Sequence, residues 1–248
     1  MPTLGAGASA TEHYEALRKD WLHRKRRVFT VVAIIPSLIV LAANLVMSPH
    51  GGVWTWNAGL LTGMALAFWV WARQSPPAFV EHWLEGAWGE QRTAKALKTL
   101  PPEWTVLHDL PTGDGGTNID HLVIGPGGVF LLDSKHWQGQ VTVVGDTAFV
   151  QQPLRDTVGK RDVAPAVKAL AAELSQRVRT ATRIFQFVTP VVVVWGELND
   201  HAAGDKCYFV AGEHLTEWLQ QRPTTVAPNR LAQVTAAFVQ QVSSRDTA

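Results

Sequence analysis

The sequence predicts an α/β domain, a mixed sheet flanked by helices, preceded by two transmembrane helices. Three observations predict it. Two uncharged runs, 28–47 and 53–72, follow one another near the N-terminus. Beyond Ser75-Pro76-Pro77, short runs rich in Val, Ile, Leu and Phe are interleaved with segments whose apolar residues recur at helical spacing. Over 248 residues, 46% are hydrophobic and only 17% charged, which fits one sizeable domain plus an unusually apolar segment. A formal net charge of +1 gives no global argument for nucleic acid, so any basic surface must be local. The single cysteine, Cys207, excludes an intramolecular disulfide framework and a Cys-rich zinc site.

Residues 1–27 form a basic N-terminal segment that carries Arg18, Lys19, Arg24, Lys25, Arg26 and Arg27. The run 28–47 follows, then a turn, Ser48-Pro49-His50-Gly51-Gly52, and the run 53–72. About 20 residues at about 1.5 Å per residue span a hydrocarbon layer roughly 30 Å thick, so 28–74 reads as a transmembrane hairpin in the lipid bilayer. Basic residues lie before the first span and at Arg73, none in the turn, so the positive-inside rule puts both ends in the cytoplasm. Trp54, Trp56, Trp69 and Trp71 stand near the ends of the second span, where indoles favour the headgroup level. Asn44 and Asn57 offer amides through which helices pair within or between chains, which leaves a homo-oligomer open. Neither run holds an acid, Lys or Arg, so the hairpin reads as an anchor and not as a channel or transporter.

The second domain, 78–248, opens with a helix whose apolar face is Phe79, Trp83, Leu84, Ala87, Ala94 and Leu97, ended by Pro101-Pro102. Gly86 and Gly89 are poor helix formers and predict close backbone approach beside Glu90. A strand is expected over 104–110, then a glycine-rich loop, 111–118. Two strands, 118–124 and 129–135, flank the turn Gly125-Pro126-Gly127-Gly128 and make a hairpin. A turn at 136–140 precedes a short strand, 141–144; a helix starts near Pro165; 188–195 reads as a buried central strand. A strand at 207–210 and helices near 213–221 and 229–242 complete the mixed sheet and its flanking helices.

Acids on such strands are informative, because a buried carboxylate persists only when paired or bound to a cation. Asp133 and Lys135 are two apart and share a face, while Ser134 points the other way. With Asp120 across from them, two carboxylates and an ammonium converge. Repelling carboxylates are reconciled by a hard cation such as Mg²⁺, with Mn²⁺ as a substitute, and the lysine is then placed to stabilise a developing anion or help deprotonate water. Glu90 can join from the first helix as a ligand or base. Alone, Asp-x-Lys on a strand equally suits a solvated ion pair. His121 and His136 lack a zinc partner motif and suit core or supporting roles. Arg155, Lys160, Arg161, Lys168, Arg177, Arg179 and Arg183 could meet phosphates, but as a scattered set they equally make a solvated face.

Gly86-x-x-Gly89-Glu90, Ile119-Asp120-His121, Gly127-Gly128-Val129-Phe130 and Asp133-Ser134-Lys135-His136-Trp137-x-Gly139 together resemble the nuclease-related domain family, NERD, strongly over 87–139 and more loosely beyond. That family resembles the restriction-endonuclease-like PD-(D/E)XK superfamily. The resemblance implies that fold, DNA as substrate with RNA left open, and Mg²⁺-dependent phosphodiester hydrolysis. It makes Glu90, Asp120, Asp133 and Lys135 catalytic, the three acids metal ligands, and Gln138 peripheral. Asp133 departs from the pattern, since such nucleases often carry Glu there. The shorter side chain favours an alternative, a weak or inactive nuclease-like module that binds nucleic acid or a partner at the membrane.

Overall fold

Runs of Val, Ile, Leu and Phe that are too short for a helix and bounded by Gly, Pro or Asp can satisfy their backbone groups only by pairing, and they do so here in one mixed sheet. The computed structural model describes residues 52–74, 78–110, 118–151, 157–198, 202–203 and 206–243, with isolated positions between 15 and 46. In chain order the elements are α1 (Gly52–Gln74), α2 (Ala78–Leu97), β1 (Thr105–Leu110), β2 (Ile119–Gly125), β3 (Gly128–Val144), β4 (Thr147–Gln151) and β5 (Val158–Arg161). They continue with α3 (Ala164–Thr182), β6 (Val188–Leu198), β7 (Ala202–Ala203), β8 (Tyr208–Ala211), a single 3₁₀ turn (Gly212–His214), α4 (Leu215–Gln220) and α5 (Pro228–Ser243). The chain divides into two units, one of them Thr11–Leu84 and the larger containing Glu85–Ala248.

In the larger unit the sheet order is β1-β2-β3-β6-β8-β7, with β4 on β3 and β5 on β4. Gly125 pairs with Gly128 across Pro126-Gly127, so the expected hairpin of β2 and β3 is present. β6 runs parallel to both β3 and β8, which makes the sheet mixed. One face packs Leu122, Leu131, Val192 and Phe209 against Leu174 and Val178 of α3 and Phe238 of α5. The other packs Val123, Leu132, Val193 and Val210 against Leu97 of α2 and Leu215 and Trp218 of α4. Strands covered on both faces need apolar side chains at every position, which is why β6 reads as a continuous apolar run despite Pro190.

Several expectations need correction. The turn expected at 136–140 is instead part of β3, a single 17-residue strand. The polar and glycine residues there mark a shift in its register on β6 between His136 and Gln140. β4, β5 and β7 were not expected. Gly89 lies beside the backbone of Lys135 and His136, as predicted, but a side chain at Gly86 would meet open space. Where a glycine is demanded is Gly125, whose Cβ would stand 2.2 Å from the Trp104 ring.

The helix α1 coincides with the second expected span, and its 23 residues are about 34 Å long at 1.5 Å per residue. Among the described residues, however, no helix is long and apolar enough to cross a membrane. Thr55, Asn57, Thr62 and the tryptophans lower the mean hydropathy of α1. Most of the first expected span lies outside the described residues, as do the basic residues 24–27, the 48–51 turn, the 75–77 boundary, the 111–117 loop and Arg155.

Within the hairpin, His121 is fully buried and its Nδ1 lies 2.8 Å from Nδ1 of the half-buried His108, so a single proton serves the pair. Burial, then the neighbouring His108, pushes the His121 imidazole down to about 3, and burial and Lys98 lower His108 as well. The unfolded chain therefore binds protons more tightly than the folded one below pH about 6.5. Stability is full above that pH and falls as pH drops towards 3, by on the order of 4 kcal/mol for His121 alone. Urea midpoints measured from pH 7 to pH 3.5 should show this fall, and a His121→Leu variant should flatten the slope whatever its absolute stability.

Candidate functional site

β2 and β3 pair as far as His121 and Leu132, and one step further the same register sets Asp120 opposite Asp133. There the two strands part. β3 regains an antiparallel neighbour only at Gln140, on β4. The exposed edge of β3 is met by a side chain instead of a strand: the Ser134 N–H donates to Asp120 Oδ2 at 2.6 Å. Lys135 Nζ donates to Asp133 Oδ1 at 2.9 Å and stands 2.9 Å from Oδ2 as well. Asp133 Oδ2 is buried and has no hydrogen bond of good geometry, so the ion pair alone faces it. Strand alternation thus puts Asp133 and Lys135 on one face and Ser134 on the other, as the spacing predicted.

Ser134 ties this strand to α2. Its hydroxyl donates to Thr93 Oγ1 at 2.8 Å, Trp195 Nε1 of β6 donates to the same oxygen at 2.8 Å, and Thr93 donates to the Gly89 carbonyl at 3.0 Å. Thr93 is fully buried, and its hydroxyl has its one donor and both acceptor positions filled. This bracket fixes the turn of α2 that carries Glu90 against the strand that carries Asp133 and Lys135. The Glu90 backbone lies against the His121 ring.

Electrostatics mark the cluster. Burial pushes the Asp120 carboxyl well above the usual carboxylate range, and the Asp133 and Glu90 carboxylates push the same way, against Lys135 and the Ser134 N–H. Burial pulls Lys135 down, but Asp133, Asp120 and Glu90 outweigh it and its net shift is upward. The structure therefore brings Asp133 and Lys135 into contact and Asp120 onto the residue between them, while Glu90 acts on them through its charge. Oxygen donors in mutual repulsion suit a hard divalent cation. Among the described residues, though, no group of three or more His, Cys, Asp or Glu is arranged to hold a metal ion, and the Lys135 ammonium stands against Asp133. Cys207 adds no nucleophile, since burial pushes its thiol up to about 12.

Sequence reading missed Thr93, Trp195, Trp88 and Arg92. Thr93 had one signal, its place one helical turn after Gly89. Of the scattered basic residues, Lys168 pairs with Asp146, Lys160 with Asp162 and Arg177 with Glu173, and Arg179 lies over Phe185, as in a solvated face.

The fold and cluster define an α/β domain with acids and a lysine where a mixed sheet opens. The model of the family described as nuclease-related domain, NERD, matches residues 85–195, which run from α2 through β6 and contain the whole cluster. No curated protein matches the chain. No solved structure matches it either.

The bracket is open to direct measurement. Thr93→Val keeps the shape of the side chain but leaves the Trp195 N–H and the Ser134 hydroxyl without their partner. It should cost about 2–4 kcal/mol of unfolding free energy by urea titration, with Thr93→Ser close to wild type.

Proposed function

We propose that this chain is a NERD protein with a restriction-endonuclease-like domain that hydrolyses phosphodiester bonds of DNA with the help of Mg²⁺, which Mn²⁺ can replace. The observation that carries this reading is the convergence of Asp120, Asp133 and Lys135 at the opening of β2 and β3, inside the segment that matches the nuclease-related model. Glu90, Asp120 and Asp133 would hold the cation, which supplies positive charge against the non-bridging and departing oxygens of the phosphodiester. Lys135 would stabilise the developing anion or orient and help deprotonate the attacking water.

Full-length protein with Mg²⁺ should cut DNA, and Lys135→Ala or Asp120→Ala should lower the rate at least about 100-fold, the order that general acid–base and charge-stabilising groups supply. Equal cutting by wild type and both variants would remove the site assignment. The Lys135–Asp133 ion pair and the lack of a three-ligand group among the described residues favour a second reading, a module that binds nucleic acid without cutting it. Calorimetry with Mg²⁺ or Mn²⁺ separates the two, since the second reading requires that neither binds.

We further propose attachment to a membrane through 28–72, with the larger unit and the N-terminus in the cytoplasm. Support comes from α1, where Trp56, Leu60, Leu61, Met64, Leu66, Phe68, Val70 and Trp71 are exposed over most of the helix surface, while Thr62, Ala65 and Trp69 on the remaining face are partly covered. A helix that is apolar all round wants an apolar surrounding. Expressed full-length chain should stay with membranes through an alkaline carbonate wash, and its release into the wash would refute the attachment.

A further inference from the structure

A second feature of the larger unit lies apart from the acids. At the carboxyl end of β8, where β6 runs past it and the register of β3 shifts, a cleft of about 480 Å³ opens, lined by Arg92, His136, Gln138, Trp195, Glu197 and Glu213 among others. Carboxyl ends of parallel strands are where open α/β sheets receive ligands. The walls are held close by two glycines. A Cβ at Gly196 would stand 2.2 Å from the Trp137 carbonyl oxygen, and one at Gly212 would stand 2.4 Å from the Trp195 ring.

Over the cleft the Arg92 guanidinium lies against two indoles, 4.2 Å from the Trp88 ring centre and 5.0 Å from that of Trp195. Trp195 is itself fixed by its bond to Thr93, and Trp88 packs edge-on against His136 at 4.6 Å. Among the described residues no carboxylate pairs with Arg92. Arg92 itself is exposed, so its N–H groups are open to a ligand. A planar cation resting on aromatic rings suits bidentate contact with a phosphate. Trp88 stays nearly half exposed, an aromatic face open to stacking.

We propose that this cleft takes one unpaired nucleotide of a single-stranded nucleic acid, with Arg92 binding its phosphodiester and the cleft enclosing its base. The inference rests on the nuclease reading for its ligand class, because His136, which lines the cleft, directly follows Lys135 on β3. A base inside a duplex is stacked and paired and does not enter such a recess, whereas aromatic faces and arginine planes bind unpaired bases without regard to sequence. The carboxylates of Glu197 and Glu213 would repel a phosphate, which places the phosphate at the Arg92 end and the base edge, with its hydrogen-bonding groups, towards the acids.

The test measures binding without cutting. Fluorescence anisotropy of labelled single strands and of the matching duplex, each about 12 nucleotides long, is recorded with full-length protein in EDTA. Wild type should bind the single strand at least about tenfold more tightly than the duplex. Arg92→Gln should lose about tenfold in affinity and about 0.7 in the slope of log affinity against log salt, one phosphate contact. Trp88→Leu, which keeps the guanidinium but removes one of the rings it rests on, should fall between. Equal affinity for duplex and single strand, or unchanged binding by both Arg92→Gln and Trp88→Leu, overturns the proposal. Tight single-strand binding by a wild type that never cuts with Mg²⁺ would refute the nuclease reading and leave the cleft assignment standing.

Discussion

The hydroxyl of Thr93 holds the larger unit in register. It is one oxygen, fully buried, that receives a hydrogen bond from β3 through Ser134 and another from β6 through Trp195, while giving its own proton to the backbone of α2. Apolar contacts alone would let a helix slide on a sheet with little penalty, since dispersion and burial have no direction. Three directed bonds meeting where water cannot replace them do not allow it. The position of Glu90 relative to Asp133 and Lys135 is therefore set by a threonine that carries no chemistry of its own. Ser134 completes the link, because its backbone N–H supports Asp120 while its side chain reaches Thr93.

The same bracket explains why charged groups gather at one spot. A strand with both neighbours in place has no spare backbone donors. β3 lacks its antiparallel neighbour between the end of its pairing with β2 and the start of its pairing with β4, and a carboxylate can satisfy the N–H left over. Asp120 takes that place and is thereby held near Asp133, a crowding that the Lys135 ammonium relieves in part. Burial first, and then the Asp133 and Glu90 carboxylates, raise the proton affinity of Asp120. A cluster with unrelieved negative charge is a receptor for positive charge, whether proton or cation.

Much of this was legible in the sequence, for definite reasons. The β2–β3 hairpin announced itself because a Gly-Pro-Gly-Gly turn between apolar runs admits few alternatives, and alternation then put Asp133 and Lys135 together. The length of β3 was not legible. His136-Trp137-Gln138-Gly139-Gln140 has turn composition, and only the parallel partner β6 and the antiparallel partner β4 keep it extended. β4 and β5 are short and half-exposed, so their pattern is weak. Thr93, Arg92 and Trp195 escaped because they act across about a hundred residues of sequence, and pairing at that distance leaves no local trace.

The membrane question turns on the same distinction between local and long-range information. Uncharged runs of about 20 residues are a local signal, and 28–47 and 53–72 carry it. Hydropathy weighs side chains one at a time, and by that measure the tryptophans, threonines and Asn57 of α1 take it below what a crossing helix shows. Tryptophan is where the two measures part, because an indole is ranked as polar by its N–H yet buries most of its surface in apolar surroundings. With eight large apolar side chains of α1 exposed, a helix in water would leave a large cost unmet. An apolar medium or a partner chain meets that cost equally well, so the exposure argues for burial, and the basic residues before the first run are what turn the argument towards a lipid surface.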